Sequence, residues 1–252
     1  MDTPIPNKPA IGPPAPGDKD FLWLMRVPIN ATKKISELIA GRGESLSWIV
    51  TLNPEILVAA HRDASYHEAL TKANVIVADG VGIKIMAALL KQKMITKITG
   101  IHILKYIIDR AASRGETIGI VSPPDALSSP PELKRLGQKY GAQIMVDVLV
   151  RDEFRCSYFC QSSNMPVNLF ISFGHPTQEF WIARHKDHLG AVKFVVGVGG
   201  AFDFLTGQMP RAPWILQIAG LEWLWRFMVE PGRWRRIIEA IIIFPYLAIR
   251  YG

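Results

Sequence analysis

An α/β architecture is what this sequence predicts: a mainly parallel sheet with helices on both faces, followed by a helical C-terminal appendage. Three observations carry that expectation. Short apolar runs, such as NVIVA at 74–78 and KFVVGVGG at 193–200, alternate with stretches of helical period. Several runs are apolar throughout, as strands buried on both faces are. After about residue 205 the composition shifts to tryptophan, arginine and aliphatic residues.

Taken in order, residues 1–20 (MDTPIPNKPAIGPPAPGDKD) are proline-rich, lack the apolar centre of a signal peptide, and read as a disordered leader. FLWLMRVPI reads as one strand. Asn30 or Thr32 is placed to cap a helix over ATKKISELIAG, which Gly41 closes. SWIVTLN is a strand, and Pro54 suits the first turn of a helix that runs on through HRDASYHEAL. NVIVA is a strand and VGIKIMAALLK a helix. The strongly periodic IHILKYIIDRAASRG is a second helix, followed by the strand TIGIV. PELKRLGQKYG is a helix, AQIMVDVLV and VNLFISFG are strands, TQEFWIARHK is a helix and KFVVGVGG a strand. The predicted α/β domain spans 21–205 and the appendage 206–252.

The appendage holds four of the seven tryptophans (Trp214, Trp223, Trp225, Trp234) and six arginines, opposed by three glutamates. Its apolar run Ile237–Ile249 is broken only by Glu239 and contains Pro245. At 13 residues it falls short of the roughly 20 that span a bilayer. Arginine and tryptophan beside a short apolar run suit a helix lying in a membrane interface; the other reading is a core helix whose arginines face solvent. The formal net charge of +7 and mean hydropathy of +0.16 point to anionic partners and leave a membrane surface among them. Cys156 and Cys160, the only cysteines, have no histidine close by and read as ordinary thiols of a reducing compartment, so a cytoplasmic location is expected.

Four strand ends carry unusual residues: Thr51 and Asn53 in TLN, Asp79 in ADG, the run GHPTQE at 174–179, and GVGGAFDF at 197–204. In a parallel sheet these ends share one edge, where open α/β sheets bind ligands. Each has a structural alternative. Asp79 suits the N-cap of the helix that starts near Val81. Gln178 and Glu179 suit a first helical turn, and Asp203 a turn. The six histidines form no recognisable ligand set, and each reads as a surface or satisfied histidine. GVGGAF and DGVGIK both miss the G-x-G-x-x-G spacing, which argues against a nicotinamide-dependent oxidoreductase, and there is no P-loop.

In order, TLNPE, ADGVG, TKITG, SFGHPTQEFWI, GVGGAFDFLTGQMPRAP and GLEWLWRFMVEPGRWRR resemble the motifs of the WecG/TagA/CpsF glycosyltransferases (glycosyltransferase family 26) over residues 21 to 252. The resemblance implies a Rossmann-like core with a membrane-docking appendage at the cytoplasmic face of the inner membrane. It implies an inverting transfer from a UDP-sugar to a polyprenyl-diphosphate-linked saccharide in cell-envelope or exopolysaccharide synthesis, with no metal or other cofactor and no nucleic-acid partner. It makes Asp79 the general base, with Thr51, Asn53 and Gln178 holding sugar or diphosphate. Gly80, Lys97, Glu179, Gly197, Gly199, Gly200 and Asp203 then belong to the substrate pocket. Arg211, Arg226, Arg233, Arg235 and Arg236, with Trp223, Trp225 and Trp234, serve the lipid diphosphate and the membrane. Three departures fall in the donor pocket: Lys97 in place of arginine, VSPPDALSSPP in place of a glycine-rich turn, and Thr177 in place of lysine. A non-catalytic membrane-docked scaffold on the same fold is the alternative, and an exposed apolar appendage favours self-association.

Overall fold

The computed structural model describes residues 21–30, 35–39, 46–91, 98–151, 156–160, 165–218, 221–230, 232 and 234–251. The expected leader and the caps Thr32 and Gly41 lie outside them.

Six parallel strands form the sheet: β3 (Ser47–Leu52), β4 (Val75–Ala78), β5 (Thr117–Ser122), β6 (Gln143–Val148), β7 (Asn168–Ile171) and β8 (Phe194–Gly197). Their order is β4-β3-β8-β7-β5-β6, and every neighbouring pair is parallel. Side chains alternate across the strands, so each strand feeds two cores. On one face Trp48, Val50, Leu52 and Ile171 meet α2 (Pro54–Arg62), α3 (Ala64–Thr71), α4 (Val81–Leu89) and α7 (Thr177–His185). On the other, Ile49, Val77, Ile120 and Phe170 meet α5 (Gly100–Arg114), α6 (Pro130–Tyr140) and α8 (Ala201–Thr206). The α/β prediction with helices on both faces is what the chain adopts.

Several local readings are corrected. FLWLMRVPI is a hairpin, β1 (Phe21–Leu24) and β2 (Val27–Asn30), turned by Met25 and Arg26 at φ 50° and 65°. Asn30 Oδ1 accepts from Ile76 N at 2.8 Å and ties the hairpin to β4, while the helix α1 is described over Ile35–Ile39. The long helix after Pro54 breaks at Asp63, whose Oδ1 accepts from Ser65 N and Tyr66 N and starts α3. Cys156 stands in a disulfide rather than as a thiol.

The C-terminal region is α9 (Trp214–Ile218), α10 (Glu222–Val229), α11 (Trp234–Ile238), a π-helical stretch at Glu239–Ile243, and α12 (Phe244–Tyr251). The wider π turn precedes Pro245, which has no N–H and would crowd the carbonyl of an ordinary α turn. This segment is divided between core and surface. Phe244 and Ala248 are fully buried in the core shared with β3, and Arg62 pairs with Glu239. Ile242 and Ile249, on the same helical run, are 63% and 67% exposed.

Candidate active site

Asp79 follows β4 directly, so the strand fixes where its carboxylate emerges. Its Oδ2 accepts from Gly100 N, the first amide of α5, at 3.2 Å. It does not cap α4. Gly80 holds the N-cap position at φ 102°, ψ 150°, a conformation almost confined to glycine, and gives no side-chain cap. Thr51, near the end of β3, is 9% exposed, and Asn53 caps α2 by accepting from Ile56 N at 2.9 Å. These residues line one cavity of about 610 Å3, in the range of small-molecule sites. It lies outside the carboxyl ends of β3, β4, β7 and β8, the expected edge.

Gln178 joins two of those ends. Its Oε1 accepts from Gly174 N at 3.2 Å and from Gly199 N at 3.0 Å, while its Nε2 donates to Glu179 Oε1 at 2.7 Å. A Cβ on Gly197 would fall 2.7 Å from that Nε2, so glycine there is what admits the amide. Gln178 lines the cavity, but its carbonyl oxygen is engaged with the two glycine turns it braces. Glu179 points away from the cavity: it is 2% exposed and accepts from the Tyr66 hydroxyl at 3.0 Å. Neither residue is the exposed first-turn residue of the alternative reading.

Burial pushes the Glu179 carboxyl above its ordinary value of 4.5, against the opposing hydrogen bonds from Gln178 and Tyr66 and the charge of His175. A raised carboxyl pKa means the folded state holds its proton longer than the unfolded state does. Stability contributed by this group is therefore full below the ordinary value and falls as pH rises through the raised one. Glu179→Gln is expected to flatten that part of the stability–pH profile. Urea unfolding across a pH series checks it, and an unchanged slope would contradict the assignment.

Asp203 lies on α8 rather than in a turn. It lines the cavity, and its Oδ1 accepts from Ser128 N at 3.0 Å and Ser128 Oγ at 2.6 Å. That pins the 122–129 turn to α8, and Arg151 holds the same turn through Asp125 at 2.6 Å. Gly199 and Gly200 lie in the cavity wall beside it.

The appendage closes the opposite side with Arg211, Trp223, Trp225 and Arg236. Trp225 Nε1 donates to Pro210 O at 3.2 Å, which ties α10 to the segment after α8. Arg235 and Trp234 do not line the cavity; the Arg235 guanidinium sits 5.3 Å from the Trp234 ring centroid and Trp234 is 48% exposed. Lys97, Arg233 and the Arg226 side chain lie outside the described residues. Among the described residues, no group of three or more His, Cys, Asp or Glu side chains converges as a metal site would require.

Sequence reasoning missed Glu55 and His175. His175 lines the cavity, and its Nε2 lies 3.3 Å from Glu55 Oε2. The two are 120 residues apart in sequence, so no local pattern pairs them.

The model of the WecG/TagA/CpsF family of glycosyl transferases matches residues 23–252. An N-acetylglucosaminyldiphosphoundecaprenol N-acetyl-beta-D-mannosaminyltransferase of Bacillus subtilis is 30% identical over 203 residues, 76% of this chain and 75% of its own. Proteins of the same name from Bacillus spizizenii and Staphylococcus aureus are 29% and 28% identical, over 77% and 86% of this chain and 75% and 85% of theirs. With the match running through strand ends and appendage alike, the chain belongs to the WecG/TagA/CpsF family and is a glycosyltransferase.

Proposed function

We propose that the protein moves a sugar from a UDP-sugar to a saccharide carried on a polyprenyl diphosphate, with inversion at the anomeric carbon. One observation carries this reading: Asp79, the β3 end and the glycine turns share a cavity whose far wall is the arginine- and tryptophan-bearing appendage. The names of the relatives supply the acceptor chemistry, a lipid diphosphate bearing N-acetylglucosamine.

In this mechanism Asp79, held by the α5 amide, takes the proton of the acceptor hydroxyl as that oxygen attacks the anomeric carbon. The bond to the UDP oxygen breaks from the opposite face. Charge then grows on the leaving diphosphate and calls for cationic partners. Arg211 and Arg236 supply them, with no metal in the reaction, through the planar fork that fits phosphate oxygens. Thr51 and Asn53 border the sugar, and Gln178 keeps the two glycine turns in register.

The lipid acceptor requires the cavity to open at a membrane. Trp214, Met228, Ile242 and Ile249 are all more than 60% exposed on the appendage helices. Among the described residues no helix is long and apolar enough to cross a membrane. We therefore assign these residues to a docking face in the interface of an anionic bilayer.

The test is to incubate the protein with UDP-N-acetylmannosamine, its uronic acid and UDP-glucose, each with a short-chain polyprenyl-diphosphate N-acetylglucosamine. UDP release and glycolipid formed are measured. One donor is expected to give product. Absence of product from every donor, together with no binding of any UDP-sugar, would sink the proposal.

A further inference from the structure

Among the described residues, the core half of the cavity carries more negative than positive charge. Among the described lining residues before position 206 there is no lysine or arginine, whereas Glu55, Asp79 and Asp203 all bring carboxylates. The arginines there come from the appendage. The amides of Gly174 and Gly199 are engaged by Gln178 Oε1. A diphosphate held only from the appendage would face carboxylates across the cavity.

His175 is the one described side chain of the core wall able to carry positive charge into this space. Its surroundings are built. The imidazole sits in the β7–α7 connection, with its side chain 15% exposed. Nε2 meets Glu55 Oε2 at 3.3 Å, and Glu55 is fixed in the first turn of α2. The same Glu55 oxygen lies 3.9 Å from Arg236 Nη1, so one carboxylate joins the core histidine to the appendage arginine. The other ring nitrogen, Nδ1, is buried and has no hydrogen-bond partner among the described residues. Leaving a buried polar atom unpaired is costly, and a ligand that pairs it recovers that cost.

Resting on the UDP-sugar reading above, we propose that His175, oriented by Glu55, is a diphosphate-binding residue of the core wall. With both ring nitrogens protonated, Glu55 accepts from Nε2, and on binding the ring turns to bring the enclosed Nδ1 to a phosphate oxygen. Glu55 thereby sets which nitrogen serves the ligand, as a carboxylate orients an imidazole in many sites. Arg236 approaches the same diphosphate from the other side. The chemistry recognised is a diphosphate ester, and both the nucleotide donor and the prenyl acceptor carry one.

Calorimetric titrations of the full-length protein with uridine, UDP and a short-chain prenyl diphosphate separate these. His175→Ala is expected to weaken a diphosphate ligand by about tenfold to a hundredfold, the loss of one charge-assisted hydrogen bond, and to leave uridine within about twofold. Glu55→Gln, which keeps the ring, is expected to weaken the same ligand by a smaller factor. Loss on UDP assigns His175 to the donor; loss on the prenyl diphosphate assigns it to the acceptor. Equal loss on uridine and UDP would mean a structural role and overturn the proposal, as would unchanged binding of both diphosphates. If the wild type bound neither uridine nor UDP, yet held prenyl diphosphate in a His175-dependent way, the UDP donor reading would fall and this one would stand.

Discussion

Asp79→Asn is expected to lower kcat by about 10²–10⁴-fold while leaving UDP binding unchanged. The substitution is nearly isosteric, and an asparagine Oδ1 still accepts from the Gly100 amide that Asp79 engages at 3.2 Å. Gly80, at φ 102°, and the α4 turn behind it keep their backbone. What disappears is the capacity to hold a proton at the point where β4 delivers the side chain to the cavity. A base that acts on the acceptor hydroxyl affects the chemical step, so the loss belongs in kcat rather than in donor affinity. Single-turnover product formation beside UDP titration separates the two. A variant that retains more than about a tenth of wild-type kcat would remove Asp79 from the base role. A variant that loses UDP affinity in proportion would make it a donor-binding residue instead.

The strand-end logic behind that prediction was legible before any coordinates. Apolar runs without alternation specify strands buried on both faces, and a parallel sheet sends all their carboxyl ends to one edge. Thr51, Asn53, Asp79 and the 197–203 segment are all in the cavity wall for that reason. What local pattern does not encode is which side chain answers which. Gln178 reaches Gly199 after β8, and Glu55 reaches His175 across the edge from another strand; both contacts exist only once β3, β7 and β8 are neighbours. Local errors have local causes. The hairpin at Met25 and Arg26 turns on non-glycine residues at positive φ, without the Asn-Gly signal that usually marks such a turn. Asp63 ends α2 and caps α3, and inside a helical period its capping role is hidden by the apolar residues on either side.

The appendage carries the second large effect, because one helical run serves two surfaces. Phe244 is fully buried against the core, and a Cβ on Gly82 of α4 would lie 3.8 Å from its ring. Phe244→Ala is expected to destabilise the protein by about 3–5 kcal/mol, the usual cost of emptying a buried phenylalanine site. Ile242, two residues earlier and 63% exposed, has no such role. Ile242→Ser is expected to change stability by less than about 0.5 kcal/mol. If the exposed face docks on membranes as proposed, the same change weakens sedimentation with anionic vesicles, because it removes apolar area from that face. Urea melts and vesicle sedimentation on the same two variants read both surfaces at once. If Phe244→Ala melted within about 1 kcal/mol of wild type, the appendage would be a detachable tail. The predicted cost instead means that cutting the chain after Arg211 removes Phe244 and Ala248 from the core together with the Arg236 and Trp225 wall of the cavity. Such a truncation then loses fold stability along with acceptor binding, so point variants on the exposed face, rather than deletions, are what isolate the membrane contribution.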